Sequence, residues 1–540
     1  MATKCKSRKR KSKTRSKKFR LAVLGKPTGI IQPRVQQVGP EHFGVIAVDC
    51  AKDRSKWMLC DFYGKILVEP TIVEHQCSSL NAMKLLANEA IRKHDIKDTV
   101  ACVEMTGTYH KIVFRHLKRA GYDTRLVHPF ASSHYRLPEH GDLKTDDHDL
   151  AAIFRASING FGLIEKEWDD VFGQLQILVR HRRDLVNKRS RLQCQIRHHL
   201  QRTLPGFANL FPNDDMWVQP LAVAVLRFIA DHGGTHQAIL DAGLPTLGSW
   251  LRERKYRFQG RTLDRIYSWA KQAVDGDELS SSLSRVWLEL LDDWKQKMSQ
   301  ITAAEVDEAS LLVKTPYILL LSHPGINVIS AAELAGETGP IEHYASSKSI
   351  TGRAGLFPSR YQSDETDRGG NLSRFRNARM RAAWLLVAAN MVKCNIYWRG
   401  KSSRWKEQGH DGRDIRCRIA NRLSRPIFQM VSGRKLYSHP SQLDRGYVLE
   451  KLMEFHRDRG TPPSQIVTDL RHASEQIPSS YHAAEATPLR AFHEKSKRSR
   501  RSEPKQLGSL LVAVLARLQC SDIESTPLEV PTADSDVGTR

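Results

Sequence analysis

The stretch "FGVIAVDCA" (residues 43–51) is a continuous apolar run that ends on Asp49, which predicts a strand buried on both faces. A second run of this kind, "DTVACVEMTG" (98–107), ends on Glu104. An ionised carboxylate at the end of a buried strand is costly unless it has a cation or hydrogen-bond donors for partners. Asp49 and Glu104 are therefore the first candidates for a functional site.

Working outward from these two runs, further strands and helices are predicted on either side. "KWMLCDFYGKILVEP" (56–70) indicates two strands around a Tyr-Gly turn, and "DTRLVHP" (123–129) indicates another strand. Helical periodicity covers 78–94, and a short helix is expected over 108–121. The order β-β-β-α-β-α-β-α predicts a central mixed sheet with helices packed on it.

The last helix of this series begins within "LKTDDHDLAAIFRA" (143–156), which carries Asp146, Asp147 and Asp149. Asp146 and Asp149 are three positions apart and face the same side of a helix. Together with Asp49 and Glu104 they would form a set of four carboxylates. Such a set repels itself without a divalent cation and suits Mg²⁺, or Mn²⁺ in its place, in the two-metal arrangement that serves phosphoryl transfer.

Two interpretations of this acidic helix start remain open. In one, Asp146 is an N-cap with Asp149 at the third position, and Asp49 and Glu104 each pair with a basic side chain. In the other, the four acids hold metal, and Asp147 is an ordinary surface aspartate. Two acids ending buried strands before an acidic helix start, in this order of elements, form the ribonuclease-H-like layout. The combination therefore favours the metal site.

The composition points to a polyanionic partner. The chain has 540 residues, with 84 Lys and Arg against 59 Asp and Glu and a net charge of +25, which suits DNA or RNA. Nine cysteines without CxxC spacing argue against a disulfide framework and a zinc ribbon, and for a reducing compartment. No segment approaches the ~20 apolar residues of a membrane span. We expect a protein of a reducing compartment with no membrane partner.

Helical patterns dominate after residue 166. "QLQILVRHRRDLVNKRSRLQCQIRHHLQRTL" (174–204) has leucines at heptad spacing opposite a face dense in arginine, which predicts one arm of a coiled coil. An amphipathic run over 283–313 is the candidate for the returning arm. We expect both arms to support self-association as a dimer or tetramer.

At these motifs the chain resembles a known family. "VIAVDCAKDRSKW", "CVEMTGTYH" and "LKTDDHDLAAI" resemble the three acidic motifs of the DEDD transposases of bacterial insertion sequences, the family of the pilin-gene invertase and the bridge-RNA-guided recombinases. "HPGINVISAAELAGETG" and "GLFPSRYQSDETDRGG" resemble the two motifs of the family's C-terminal domain. The resemblance covers roughly residues 43–430 with the motifs in order.

The resemblance implies a RuvC-like, RNase H-like α/β domain, a helical coiled-coil linker and a mainly α C-terminal domain with a nucleophilic serine. Carried over by position, the catalytic and metal-binding acids are Asp49, Glu104, Asp146 and Asp149, and the serine is Ser363. The family's serine precedes a glycine, where this chain has Asp364, and Arg376 stands where the family usually has glycine. The predicted domains are a basic disordered arm (1–40), the catalytic domain (41–165), the coiled-coil region with an insertion (166–314), the transposase domain (315–440) and an extension with a disordered tail (441–540).

Two features beside Ser363 concern contacts with phosphate. "RFRNARMR" (374–381) places Arg374, Arg376, Arg379 and Arg381 close to the serine in sequence, and arginine suits bidentate phosphate contacts. We therefore predict that these four residues bind nucleic acid. "HPGIN" (323–327) is either a phosphate-binding turn or a plain turn between helices.

These observations predict a transposase or site-specific recombinase that cuts and rejoins double-stranded DNA. By resemblance, a structured non-coding RNA guides it to its sites. The serine lies more than two hundred residues beyond the last acid, so we hypothesise an active site composed from two domains. The alternatives are a hydrolytic RuvC-like nuclease, such as a Holliday-junction resolvase, which needs the acids and no serine, and an inactive DNA-binding copy.

Overall fold

The computed structural model describes residues 30–140, 145–165, 169–211, 220–363, 366–374, 376–437 and 445–478. The chain divides into two compact units, Met1–Glu167 and Trp168–Arg540. None of the helices within the described ranges is long and apolar enough to cross a membrane.

The first unit is built on a six-stranded mixed sheet in the order β3-β2-β1-β4-β5-β6. The first three strands run antiparallel, β1 is parallel to β4 and β4 to β5, and β6 is antiparallel to β5. This confirms the predicted mixed sheet. The strands are β1 (Phe43–Cys50), β2 (Arg54–Asp61), β3 (Ile66–Glu74), β4 (Asp98–Glu104), β5 (Asp123–Val127) and β6 (Gly162–Leu163).

Helices cover both faces of this sheet. They are α1 (Gln32–Val38), α2 (Cys77–Lys93), α3 (His110–Arg119), α4 (Pro129–His140) and α5 (Asp146–Ala156). Alternate residues of β1 face opposite layers: Ile46 packs with α2 and α3, whereas Val45 packs with α1 and α5. Burial on both faces explains why β1 and β4 are continuous apolar runs.

The helix α1 differs from the prediction that residues 1–40 form a disordered arm. Ile31 and Val35 are buried and pack against the sheet with Phe43. Arg34 also binds the carboxylates of Asp98 and Asp123. Apolar burial and these ion pairs order the end of the predicted arm, and residues 1–29 lie outside the described part.

The second unit is mainly helical, as predicted. Its long helices are α6 (Asp170–Thr203) and α10 (Ser280–Leu312), which pack against each other. Between them lie three helices: α7 (Pro220–Asp231), α8 (Gln237–Glu253) and α9 (Gly260–Gln272).

A second group of elements follows α10. The helices are α11 (Val328–Thr338), α12 (Ser347–Ala354), α13 (Ala378–Cys394), α14 (Ile396–Glu407), α15 (Gly412–Ser432), α16 (Arg445–Asp458) and α17 (Pro463–Gln476). A two-stranded hairpin, β7 (Pro358–Ser363) and β8 (Thr366–Leu372), lies between α12 and α13.

Two hydrophobic cores hold this unit, and α6 and α10 contribute to both. One end of α6 supplies Leu175 and Val179 to the core built around α11, α13 and α15. The other end supplies Ile196 and Leu200 to the core shared with α7, α8 and α9. The apolar stripe of α6, predicted as a seam for self-association, is thus largely used inside the chain.

Between the two cores, arginines of α6 meet buried glutamates. Arg182 bonds Glu305 of α10 at 2.8 Å, and Arg183 bonds Glu333 of α11 at 2.8 Å. Glu308 lies in the same cluster and is fully buried, and neither of its carboxylate oxygens has a hydrogen-bond partner among the described residues. Burial raises the pKa of Glu308 to about 8; the charge of Arg182 opposes the shift, and those of Glu333 and Glu305 add to it.

We predict that Glu308→Gln stabilises the protein in mildly alkaline solution. The folded state holds the Glu308 proton up to a pKa of about 8, whereas the unfolded state releases it near its ordinary value of 4.5. Stability therefore falls as pH rises between these two values, and the amide variant lacks this loss. At pH 8 the gain should be about 4 kcal/mol, measured by denaturant unfolding at pH 5 and pH 8.

The matched control is Glu305→Gln, since Glu305 is paired with both Arg182 and Arg459. The substitution removes the negative charge that two partly buried arginines share and should destabilise the protein at both pH values. If Glu308→Gln lowered the stability at pH 8, the Glu308 carboxylate would have to be ionised and paired in the folded state.

Candidate active site

Asp49 and Glu104 lie side by side where the two central strands end. The parallel register pairs Val48 with Val103, so the next residue of each strand reaches the same edge of the sheet. Asp49 is half-buried, and among the neighbouring charges that of Glu104 has the largest effect on the pKa of Asp49. The structure therefore brings these two predicted residues together.

The charges of the other two predicted acids reach this pair. The pKa of Asp49 is raised to about 6, first by burial and then by the negative charges of Glu104, Asp149 and Asp146 in that order. Asp147 is not among the groups that act on Asp49. It extends outward, 62% exposed, and pairs with Lys56 at 2.6 Å.

The start of α5 decides against Asp146 as the N-cap. Thr145 is the cap, and its side chain accepts a hydrogen bond from the His148 backbone N–H at 3.4 Å. The helix therefore has a capping residue without using the side chain of Asp146 or Asp149. Asp146 and Asp149 are therefore not needed for capping, and their negative charges can act on the acid pair of the sheet.

Two residues of α4 contact the acids. Arg136 forms an ion pair with Asp149, and the Ser132 hydroxyl donates a hydrogen bond to Glu104. Sequence reasoning missed both, because it placed no helix between β5 and α5. Their spacing of four residues, which puts both side chains on one helix face, was the available signal.

Within the described ranges, no three or more His, Cys, Asp or Glu side chains are arranged as a ready metal site. The acids form one pair at the edge of the sheet and a second pair on α5, one member of which is held by Arg136. The donor chemistry nevertheless fits a hard divalent cation, because all four ligand candidates are carboxylates. Such a cation would compete with Arg136 for Asp149.

Ser363 is the last residue of β7, where its register partner is Thr366. It is exposed, while Asp364 lies outside the described residues. The two neighbouring serines are engaged or buried: Ser359 donates to the carbonyl of Asn371 at 2.9 Å, and Ser373 is only 9% exposed. Burial therefore disfavours Ser373 as a nucleophile, and the hydrogen bond to Asn371 disfavours the exposed Ser359.

The four arginines after the hairpin divide into two groups. Arg374, Arg376 and Arg379 are exposed and available to a phosphate. Arg381 instead donates to the carbonyl oxygens of Ala354, Gly355 and Ser373, so it joins α12 and the hairpin to α13. Gly355 has φ of 62°, and a Cβ there would lie 2.3 Å from the Arg381 guanidinium.

The turn "HPGIN" leads directly into α11. Asn327 caps this helix through a capping box with Ser330. His323 is buried, and desolvation lowers its pKa to about 4, so it carries no positive charge for a phosphate at neutral pH. These contacts favour the plain turn between helices.

Comparison with known proteins gives two matches that follow the chain in order. A transposase model of the DEDD type of IS110 matches residues 46–205, and a model described as transposase of the IS116/IS110/IS902 family matches residues 317–403. The first segment contains the four acids and the second contains Ser363. A curated relative, the "Insertion element IS110 uncharacterized 43.6 kDa protein" of Streptomyces coelicolor, is 23% identical over 301 residues, which is 55% of this chain and 73% of the relative.

We predict that Asp49→Asn stabilises the metal-free protein at pH 8. The folded state holds the Asp49 proton up to a pKa of about 6, above the ordinary value of 3.8. The wild type therefore loses stability as pH rises between these values, and the amide does not. The expected gain is about 2 kcal/mol, measured by unfolding in the presence of a chelator.

Adding Mg²⁺ should reverse the order of the two proteins. A cation that binds the folded acids raises the melting temperature of the wild type by mass action, and Asp49→Asn removes one ligand. Asp147→Asn is the matched control, since it removes an equal charge from the acidic start of α5, where Asp147 pairs with Lys56 and does not act on Asp49. An equal Mg²⁺ response of all three proteins would contradict a metal site at Asp49.

Proposed function

The chain belongs to the IS110 family of transposases, and on this premise we propose that it cuts and rejoins double-stranded DNA through metal-binding carboxylates and a serine nucleophile. The observation that carries the proposal is that Asp49 of β1 and Glu104 of β4 lie side by side at one edge of the sheet, with the charges of the α5 acids acting on Asp49. The sheet order supports an RNase H-like domain, whose central strands end in carboxylates at this edge.

Asp49, Glu104, Asp146 and Asp149 would hold a divalent cation, with Mg²⁺ the first candidate and Mn²⁺ a substitute. When bound, the cation supplies charge to a scissile phosphate and lowers the pKa of a bound hydroxyl. Ser132 orients the Glu104 carboxylate, and Arg136 compensates the charge of Asp149 when no cation is present. The raised pKa of Asp49 supports this role, because crowded carboxylates favour any counter-charge that enters.

Ser363 would act as the nucleophile of strand exchange. Its Oγ bonds to phosphorus while the bond from phosphorus to the leaving DNA oxygen breaks, which gives a covalent phosphoserine. A DNA hydroxyl then bonds to the same phosphorus and releases the serine, so no bond energy is lost to water. Arg374, Arg376 and Arg379 would hold the phosphates beside it.

The proposal includes a structured guide RNA, a homo-oligomer and action on nucleoid DNA in a bacterial cytoplasm. The family resemblance supports the RNA, and the net charge of +25 suits either nucleic acid. A dimer or tetramer supplies the several active sites that joining two duplexes needs. Recombination of the element ends by purified protein without RNA would contradict the guide.

The test compares Ser363→Ala with Asp49→Asn on a supercoiled plasmid that carries the element ends. Ser363→Ala should lose the covalent protein–DNA adduct and the rejoined product, because no other group replaces the Oγ nucleophile. Asp49→Asn should lose the same products through weakened metal binding. In each variant the yields of the adduct and of the rejoined product should fall at least ~10³-fold, as expected when a primary catalytic group is removed. Adduct gels and product sequencing measure these yields.

Controls within the same segments are Ser359→Ala and Asp147→Asn, which should leave both products within about threefold of wild type. If Ser363→Ala released free DNA ends at the wild-type rate, the serine mechanism would be wrong. The protein would then be a RuvC-like nuclease that hydrolyses DNA. Intact DNA in every reaction of the wild type, with salt-dependent binding, would identify an inactive DNA-binding copy.

A further inference from the structure

The helices α7, α8 and α9 lie between the two segments that match the family models, which end at residue 205 and resume at residue 317. They pack with the ends of α6 and α10 around their own hydrophobic core. This helical insertion contains a surface that the proposed chemistry does not use. It is formed by the end of α8, the loop after it and α9, residues 250–272, and we name it the α8–α9 surface.

The α8–α9 surface is strongly basic. Its sequence, "WLRERKYRFQGRTLDRIYSWAKQ", contains only two acids, Glu253 and Asp264. Within the described contacts, the ion pair at this surface joins neighbours, Arg254 and Glu253, at 3.8 Å. The seven basic residues are all exposed: Arg252, Arg254, Lys255, Arg257, Arg261, Arg265 and Lys271.

Aromatic rings alternate with these cations. The guanidinium of Arg254 lies 4.0 Å from the ring centre of Trp250, and that of Arg252 lies 5.7 Å from the ring centre of Phe258. Such contacts hold the side chains in place without neutralising their charge. The surface thus keeps its charge in an ordered arrangement, which an ordinary solvated face does not need.

Lys271 and Arg252 lie in last turns, where positive charge suits a helix dipole, but Arg261 and Lys255 do not stabilise the helices beside them. Arg261 lies in the first turn of α9, which has no acidic residue, and positive charge at this end opposes the helix dipole. Lys255 adopts a positive φ of 61° in the turn before α9, a conformation that non-glycine residues rarely take. Both observations indicate that the positive charge at the start of α9 and in the turn before it serves to bind a partner.

A cavity of about 560 Å³ opens beside this basic run. Arg265 and Gln272 of α9 line it together with Asn209, and Trp269 forms part of its wall. The Trp269 indole is fixed, because its N–H donates to the Pro205 carbonyl at 3.1 Å and its ring packs on Phe207 at 5.2 Å. An aromatic wall with amide and guanidinium groups suits a planar base that is not stacked in a duplex.

We propose that the α8–α9 surface binds a nucleic-acid strand with at least one unpaired base. The phosphates lie along Lys255, Arg257 and Arg261, and the base enters the cavity beside Trp269. Two sources of such a strand share this chemistry: an RNA loop and a DNA strand displaced from its duplex. The inference rests on the proposed function only in that the chain handles nucleic acid, and it involves neither the acids nor Ser363.

The test measures binding of the full-length protein in a chelator, so that no DNA is cut and a failure of the catalytic proposal has no influence. The probes are a labelled 20-nucleotide single-stranded DNA, the matching duplex and a single-stranded RNA of the same sequence. Arg257→Glu/Arg261→Glu should weaken binding of the single strands at least ~10-fold. For this variant, the slope of the logarithm of the binding constant against the logarithm of the salt concentration should become smaller in magnitude by about 1.4. Each lost phosphate contact on a single strand contributes about 0.7 to this slope.

A second variant addresses the cavity, and a third controls for charge. Arg265→Ala/Gln272→Ala should weaken the single strands and leave the duplex within twofold, because a paired base does not enter the cavity. Arg285→Glu/Lys295→Glu changes the charge of exposed residues on α10 by the same amount as the first variant and should leave all three affinities within twofold.

The outcomes separate the possibilities. A preference for RNA assigns the strand to an RNA loop, a preference for DNA assigns it to a displaced strand, and equal binding supports the shared chemistry. An equal loss in the α10 control would show that net charge, and not this surface, is responsible. Photo-crosslinks of a 4-thiothymidine strand that avoid both residues 250–274 and residues 205–210 would overturn the proposal, whatever the variants show.

Discussion

The parallel pairing of β1 with β4 is the constraint on which the first unit depends. Parallel strands need a long connection, and here β2, β3 and α2 supply it while covering one edge and one face of the sheet. Once Val48 is opposite Val103, the following acids must lie at one edge. The opposite layer, with α5 on it, then brings a second pair of acids within electrostatic reach.

Both units contain clustered carboxylates, and each unit balances their negative charge in a different way. On the sheet edge, Arg136 balances the charge of Asp149, while burial and the neighbouring acids raise the pKa of Asp49 to about 6. Between α6, α10 and α11, buried glutamates face arginines directly, and the one left over, Glu308, keeps its proton at neutral pH. In both places the crowded carboxylates are partnered by arginine.

Sequence periodicity predicted the sheet because β1 and β4 are apolar on both faces, a pattern that depends on local residues only. It also predicted that Asp49 and Glu104 converge, since strand ends in one sheet are neighbours. It missed α4, whose residues "PFASSHYRLPEH" (129–140) mix polar and apolar positions without clear periodicity. The partners of the acids, Ser132 and Arg136, were missed with it.

Other differences have the same origin in tertiary contacts. Ile31 and Val35 look like part of a polar tail until the sheet offers them a surface. Arg381 has the same side chain as Arg379, and only the carbonyl groups of α12 distinguish their roles. Thr145 and Asp146 are both good capping residues, so the choice between them depended on the backbone at that position.

The length of α6 has a consequence for how the second unit unfolds. With 34 residues and a rise of about 1.5 Å per residue, the helix is about 50 Å long. It forms a wall of one hydrophobic core at each end, and α10 does the same in the opposite direction. If either core unfolded, α6 and α10 would begin to unfold, and the other core depends on both of these helices. The two cores therefore unfold together. Calorimetry of this unit should record a single unfolding transition, although two separate cores would be expected to give two.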